Sequence, residues 1–179
     1  MASAISHPAV PLAIAVALGP ERIPPALTAV ACVASVLPDI DSVGFALGIP
    51  YGHPLGHRGF THSIAFALLL GFSCIPFAAL LGASRLAVFG VVFASAVSHG
   101  LLDAMTTGGL GVAFLSPFSN DRFFLPWRHV LVSPIGVVAF FSARGLRVLA
   151  SEVLWIWAPC AVLAALGAAL FRTAPGNRG

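Results

Sequence analysis

Apolar residues run through this chain in long blocks broken by a few short polar knots, and the blocks have helical rather than strand lengths. The first runs from about Pro8 to Leu18 and ends at Gly19-Pro20-Glu21-Arg22. The second covers roughly Pro25 to Leu37 and is expected to stop at Pro38, because proline disfavours helical geometry in the residue before it. Thr61 to Leu81 is long enough to cross a bilayer alone, at about 20 residues. Leu86 to Met105 follows a short Gly82-Ala83-Ser84-Arg85 turn, and the last clear span is Val153 to Phe171. The first two blocks are short for full spans and suit a hairpin at a thinned or protein-packed edge. Val130 to Phe141, about 12 residues long and interrupted by Ser133-Pro134 and Gly136, fits a re-entrant or interfacial piece.

These elements predict an all-α fold: a polytopic transmembrane helical bundle of about five spans plus one re-entrant or interfacial segment. A single membrane-embedded domain is expected over residues 1–172, followed by a flexible polar tail at 173–179. Composition agrees with the compartment. The chain is 59% hydrophobic and 8% charged, with a mean hydropathy of +0.99. A soluble surface, roughly a quarter to a third charged, cannot be built from so few ionisable residues. No basic residue precedes Arg22, which argues against a cleaved signal peptide. The net charge of +3 comes from nine scattered arginines without lysine, so no nucleic-acid partner is expected. Cys32, Cys74 and Cys160 lie far apart without CxxC spacing and read as inert buried thiols.

The chemistry sits in the polar knots. Ionisable side chains near a bilayer are costly and usually face an interior or a wet cavity, so each is a functional candidate. Alternating the blocks across the membrane puts His7, Asp39, Asp41, His57, His62, His99 and Asp103 on one face. His99 and Asp103, at i and i+4, share a helix face. An extended turn at Asp39-Ile40-Asp41 would put both carboxylates on one side, where they repel unless a cation or proton lies between them. Thr61 is placed to cap the helix that follows and to orient His62. Imidazole and carboxylate ligands suit zinc first, with manganese or iron as alternatives, and seven candidates leave room for one to three ions. Arg58 offers a bidentate fork for a phosphate or for transition-state charge, or alternatively a lipid headgroup. His53 fits a solvated loop residue, and His129 an interfacial anchor beside Trp127. Asp121 and Arg122 can pair in a wet loop.

Three stretches carry a resemblance. Leu-Pro-Asp-Ile-Asp, then Gly-His-Arg-Gly-Phe-Thr-His-Ser, then Ser-His-Gly-Leu-Leu-Asp-Ala-Met-Thr-Thr-Gly-Gly resemble the bacterial membrane-bound metal-dependent hydrolase family. Some members of that family are described as LexA-regulated inner-membrane hydrolases. The likeness runs from His7 to about Trp157, includes Ser116-Pro-Phe-Ser-Asn and Ser151-Glu152, and is most specific at His57–Ser63. It implies a bacterial inner-membrane location and metal-dependent hydrolysis. A fainter likeness, an Asp, a later His and an HxxxD pair, is similar to zinc-dependent phospholipase C and the P1-type nucleases.

The expected function is hydrolysis by a metal-activated water at the membrane interface, on a phosphoester or lipid-like substrate. Membrane lipids and a lipid-like or phosphorylated substrate are the expected partners. Glu152 joins the site, as a ligand or general base, if Val130–Phe141 is re-entrant and falls on the opposite face if it spans. Two alternatives stay open: a metal ion transporter, whose ligands would line a path near the midplane, and a non-catalytic scaffold with a structural metal site.

Overall fold

The computed structural model describes residues 1–134 and 140–172. The expected re-entrant segment Val130–Phe141 rests on residues partly outside that set, and the expected tail at 173–179 lies outside it. Among the described residues the chain is helical, with two isolated β-bridges and no strand.

Helix α1 (Ala9–Leu18) begins after Pro8 and stops at Gly19, whose φ of 81° lets its N–H turn back to the Ala15 carbonyl. Helix α2 (Pro25–Val36) opens with proline, which has no N–H to waste in the first turn. Pro38 does not end the helical path. The chain passes into a 3₁₀ turn over Leu37–Ser42, with Pro38 in its own first turn, and continues as α3 (Val43–Ala46). The rod Pro25–Ala46 is therefore long enough to cross a membrane, and the aspartates lie on a tight helix rather than an extended turn.

Ser63 caps α4 (Ile64–Cys74) by accepting the Phe66 N–H, a role expected of Thr61. Pro76 sits in the 3₁₀ turn Ile75–Phe77 that ends this helix. The expected span Thr61–Leu81 is thus a shorter apolar helix, Ile64–Phe77, packed beside the long ones. Ser84 caps α5 (Arg85–Ala104) in the same way. The last rod starts ten residues earlier than expected: α6 (Ala143–Glu152) runs through a π turn, Val153–Trp157, into α7 (Ala158–Arg172). Pro159 lies just past that turn. In an uninterrupted α-helix its ring would collide with the Trp155 carbonyl, and a wider turn gives it room.

Three rods, Pro25–Ala46, Arg85–Ala104 and Ala143–Phe171, are long and apolar enough to cross a membrane. Helix α5 is central and packs on α2 and α4, while α1 lies along α7. Val88 and Val92 of α5 meet Leu27 and Ala31 of α2 in a fully buried seam. The Ala143–Phe171 rod instead exposes Leu154, Val162, Leu163, Leu166 and Leu170, the surface expected against lipid tails.

Lipid tails are as apolar as leucine, so association here depends on close backbone approach rather than on a hydrophobic drive. Gly167 supplies it: a Cβ there would sit 2.5 Å from Ala17 Cβ. Gly167→Leu is expected to destabilise the α1–α7 contact by about 1–3 kcal/mol through overpacking. Gly90→Ala, which meets nothing within 4 Å, is the control. Thermal unfolding in detergent should show a lower midpoint for the first and no loss for the second.

Candidate metal centre

Four stretches of chain deliver the polar groups to one end of the bundle. Asp39 and Asp41 ride on the 3₁₀ turn after α2, and His62 ends a second one, Phe60–His62. His99 and Asp103 lie one turn apart at the end of α5, and His7 stands just before Pro8, the residue that leads into α1. A 3₁₀ helix advances about 120° per residue, so residues two apart diverge. Asp39 and Asp41 therefore point apart and approach opposite nitrogens of His62, contrary to the expectation that they share one side.

Asp39, His62, His99 and Asp103 converge, each offering a ligand atom within 4.8 Å of the others, and all four are buried. The Nε2 atoms of His62 and His99 are 3.0 Å apart. Asp39 Oδ1 lies 3.4 Å from His99 Nε2 and 3.8 Å from His62 Nε2, and Asp103 Oδ2 lies 3.6 Å from His62 Nε2. His7 stacks on His99 at 3.7 Å between ring centroids. Its Nε2 is 3.8 Å from Asp103 Oδ1 and 3.9 Å from Asp39 Oδ2.

Neighbouring groups fix which nitrogens carry lone pairs. His99 Nδ1 lies 2.7 Å from the Ser35 carbonyl and can only donate to it. His62 Nδ1 faces Asp41 Oδ2 at 3.1 Å and donates likewise. Both Nε2 atoms are thereby turned inward as acceptors, toward two carboxylates. Such an assembly repels itself unless a cation or proton sits within it. Burial disfavours a charged His62, yet attraction to the Asp103 and Asp41 carboxylates outweighs it and raises its pKa to about 9. A proton there does the work of a cation. His7 behaves oppositely: burial, helped by neighbouring His99, lowers its pKa to about 3, leaving a neutral ring with one nitrogen lone pair to offer. Neither nitrogen of His7 and neither oxygen of Asp39 has a hydrogen-bond partner.

Asp41 and His57 lie beside these four and, with His62, form a second buried group that could hold a metal ion. Asp41 Oδ1 binds His57 Nδ1 at 2.7 Å. Its Oδ2 accepts the Thr61 hydroxyl at 2.6 Å and the Arg58 N–H at 3.1 Å. Asp41 is thus engaged in orienting its neighbours, and Thr61 supports that carboxylate rather than capping a helix. His57 Nε2 is buried and unpartnered. Within this second group Asp41 already binds His57 and His62 through their Nδ1 atoms.

Arg58 differs from expectation. It is fully buried and binds Asp103 Oδ2 through Nε at 2.9 Å, the Gly108 and Leu110 carbonyls through Nη1, and Thr106 Oγ1 through Nη2. Four of its five donors are taken by the protein, so its fork is not presented to a substrate anion. Its φ of 63° is a left-handed conformation costing about 1–2 kcal/mol for a residue with a Cβ, which the surrounding bonds enforce. Glu152 lies at this end of the bundle but outside the cluster, accepting from the Ser3 N–H, the Ser3 hydroxyl and the Ser6 hydroxyl. A carboxylate so engaged is not a free general base.

Other participants carried no sequence signal. The Ser35 carbonyl and the Ala2 N–H, which donates to Asp103 Oδ1 at 2.6 Å, are backbone groups that any residue supplies. Arg122 does not pair with Asp121; its guanidinium binds the carbonyls of Tyr51, His53, His57 and Gly111 and ties two loops over the site. Asp121 accepts from Ser119. His53 lies in an exposed loop, and His129 stacks on Trp155 at 4.6 Å.

Removing one partner of a buried ion pair typically costs about 3–5 kcal/mol, because it strands the other charge. Arg58→Ala is expected to lose that much in denaturant or thermal unfolding. Arg58→Ala/Asp103→Asn should recover part of it. A double variant no more stable than Arg58→Ala would contradict the pairing.

The family model for the YdjM inner membrane protein matches residues 1–175. Inner membrane protein YbcI of Escherichia coli (strain K12) is 41% identical over 162 residues, which is 89% of this chain and 92% of the relative. No solved structure gives a significant match. With its membrane-length helices, this chain is an inner-membrane protein and belongs to the YdjM inner membrane protein family.

Proposed function

We propose that the protein is a metal-dependent hydrolase acting at the membrane interface on a phosphoester carried by a lipid-like substrate. One observation carries the reading. Among the described residues, every buried side-chain nitrogen or oxygen without a hydrogen-bond partner belongs to His7, Asp39 or His57, all at or beside the His/Asp cluster. Buried polar groups are normally satisfied, and orphans concentrated in one place point to a missing partner.

Asp39, His62, His99 and Asp103 would hold the ion, with His7 as a further donor. Carboxylates and imidazoles without thiolate suit zinc, with manganese or iron as alternatives. A divalent ion would supply Lewis-acid polarisation and acidify water. The chain's own residues divide the remaining work. Asp41 and the Ser35 carbonyl hold His62 and His99 with their Nε2 atoms inward. Arg58 and the Ala2 N–H fix the Asp103 carboxylate. His57, backed by Asp41 at Nδ1, has a free Nε2 and is the group suited to hold or move a proton, a role that Glu152 is too engaged to fill.

Asp39 also supports the lipid-like substrate. It forms part of the wall of a groove of about 580 Å³ whose other residues, Cys32, Val33, Val36, Leu37 and Ile40, are apolar. That groove belongs to the membrane-length rod Pro25–Ala46. The donors cluster at helix ends on one side, unlike a transport path with ligands near the midplane. A structural metal site is the second reading, favoured by the complete burial of His99 and Asp103.

Detergent-purified protein should hydrolyse a lipid phosphomonoester in mixed micelles, lose that activity on chelation and regain it with zinc. His57→Gln should keep its metal and lose about 10²–10⁴-fold in rate. Asp41→Asn should weaken metal binding by about 10–100-fold. A folded, metal-loaded protein that hydrolyses no phosphoester, and whose chelation only lowers its unfolding temperature, would favour the structural site.

A further inference from the structure

His7, like Asp39, is held by no hydrogen bond of its own side chain: neither ring nitrogen has a partner, and its ring rests on His99. Its position therefore depends on the segment that carries it, residues 1–7. That segment is fastened to the far end of the sequence. Glu152, fully buried, accepts from the Ser3 N–H and from both the Ser3 and Ser6 hydroxyls. Trp157 Nε1 donates to the same Ser6 hydroxyl at 3.1 Å. Ser6 Oγ thus donates to one residue of the last rod and accepts from another, immediately before His7.

Glu152 and Trp157 are five residues apart, and this spacing gives the π turn a purpose. In a regular α-helix, at about 100° per residue, side chains five apart point roughly 140° away from one another. The turn Val153–Trp157 hydrogen-bonds from i to i+5 and so winds more slowly, which brings such a pair closer to one face. Among the described residues Glu152 makes no ion pair, so its buried charge relies on the serine donors. Losing the clasp would leave both the carboxylate and the N-terminal turn without their partners.

We propose that Glu152 and Trp157, brought closer to one face by the π turn, are positioning residues that clamp the Ser3–Ser6 turn and so set His7 as a donor in the metal centre. This inference rests on the metal-centre reading. The test uses the full chain in detergent, stripped of metal and titrated with Co²⁺, whose visible spectrum reports its ligands. Wild type is compared with His7→Ala, Glu152→Ala, Trp157→Phe and the His7→Ala/Glu152→Ala double variant. Glu152→Ala is expected to weaken Co²⁺ binding by about 10–100-fold and to reproduce the His7→Ala spectrum. The double variant should bind no more weakly than His7→Ala alone. Trp157→Phe keeps the aromatic packing and should show a smaller loss in the same direction, which also covers a Glu152→Ala chain that fails to fold.

Glu152→Ala binding like wild type, or a loss that adds in full to that of His7→Ala, would overturn the proposal. If wild type takes up no Co²⁺, the metal-centre reading fails by itself. The clasp is then read from the His7 ring resonances of histidine-labelled protein, assigned by their disappearance in His7→Ala. Those resonances should shift in Trp157→Phe and Glu152→Ala, and unchanged signals would sink the clasp.

Discussion

Two inward-facing imidazole nitrogens and two carboxylates are buried together at one end of this bundle, and their mutual repulsion is the constraint on which the rest depends. Unrelieved, it would push His62, His99, Asp39 and Asp103 apart or protonate one of them. The surrounding structure forbids separation. His99 is bolted to the Ser35 carbonyl of α2, His62 to Asp41, and Asp103 to Arg58 and the Ala2 N–H. Positive charge in the middle is the remaining way to reconcile these groups.

Seen from that constraint, the scattered charges of an otherwise oily chain acquire roles. Arg58 neutralises the back of Asp103 while bridging to the loop carbonyls of Gly108 and Leu110. Arg122 knits the Tyr51–His57 loop to Gly111. Glu152 fastens residues 3–6 to the final rod. Each ties a separate stretch of chain to the same end of the bundle. The opposite half, around Val88, Val92, Leu27 and Ala31, is held by apolar packing.

Much of this was legible in the sequence, for reasons that can be named. Helical block lengths and the scarcity of charge fixed an all-α membrane bundle, and alternation of faces gathered the polar knots onto one side. The HxxxD spacing placed His99 and Asp103 together because an α-helix repeats every 3.6 residues. The division between donors and orienting groups was not legible. It depends on Pro38 starting a 3₁₀ turn, which separates Asp39 from Asp41, and the rule that proline ends the preceding helix hid this. The role of Arg58 depends on backbone carbonyls some fifty residues away, which leave no residue-type signal. Helix ends suffered for similar reasons: Pro76 shortens one block, while the last rod begins ten residues before Val153 and runs on through a π turn ahead of Pro159.

The central claim is that Asp39, His62, His99 and Asp103 hold a divalent cation. X-ray absorption on protein purified from metal-replete cells, with elemental analysis of the same sample, tests it most directly. The account predicts a stoichiometric zinc, manganese or iron ion in a nitrogen and oxygen shell with imidazole scattering and no sulfur, lost from a folded Asp39→Asn/His99→Gln variant. Protein without bound metal, an ion ligated by sulfur, or full retention of metal by that variant would contradict it.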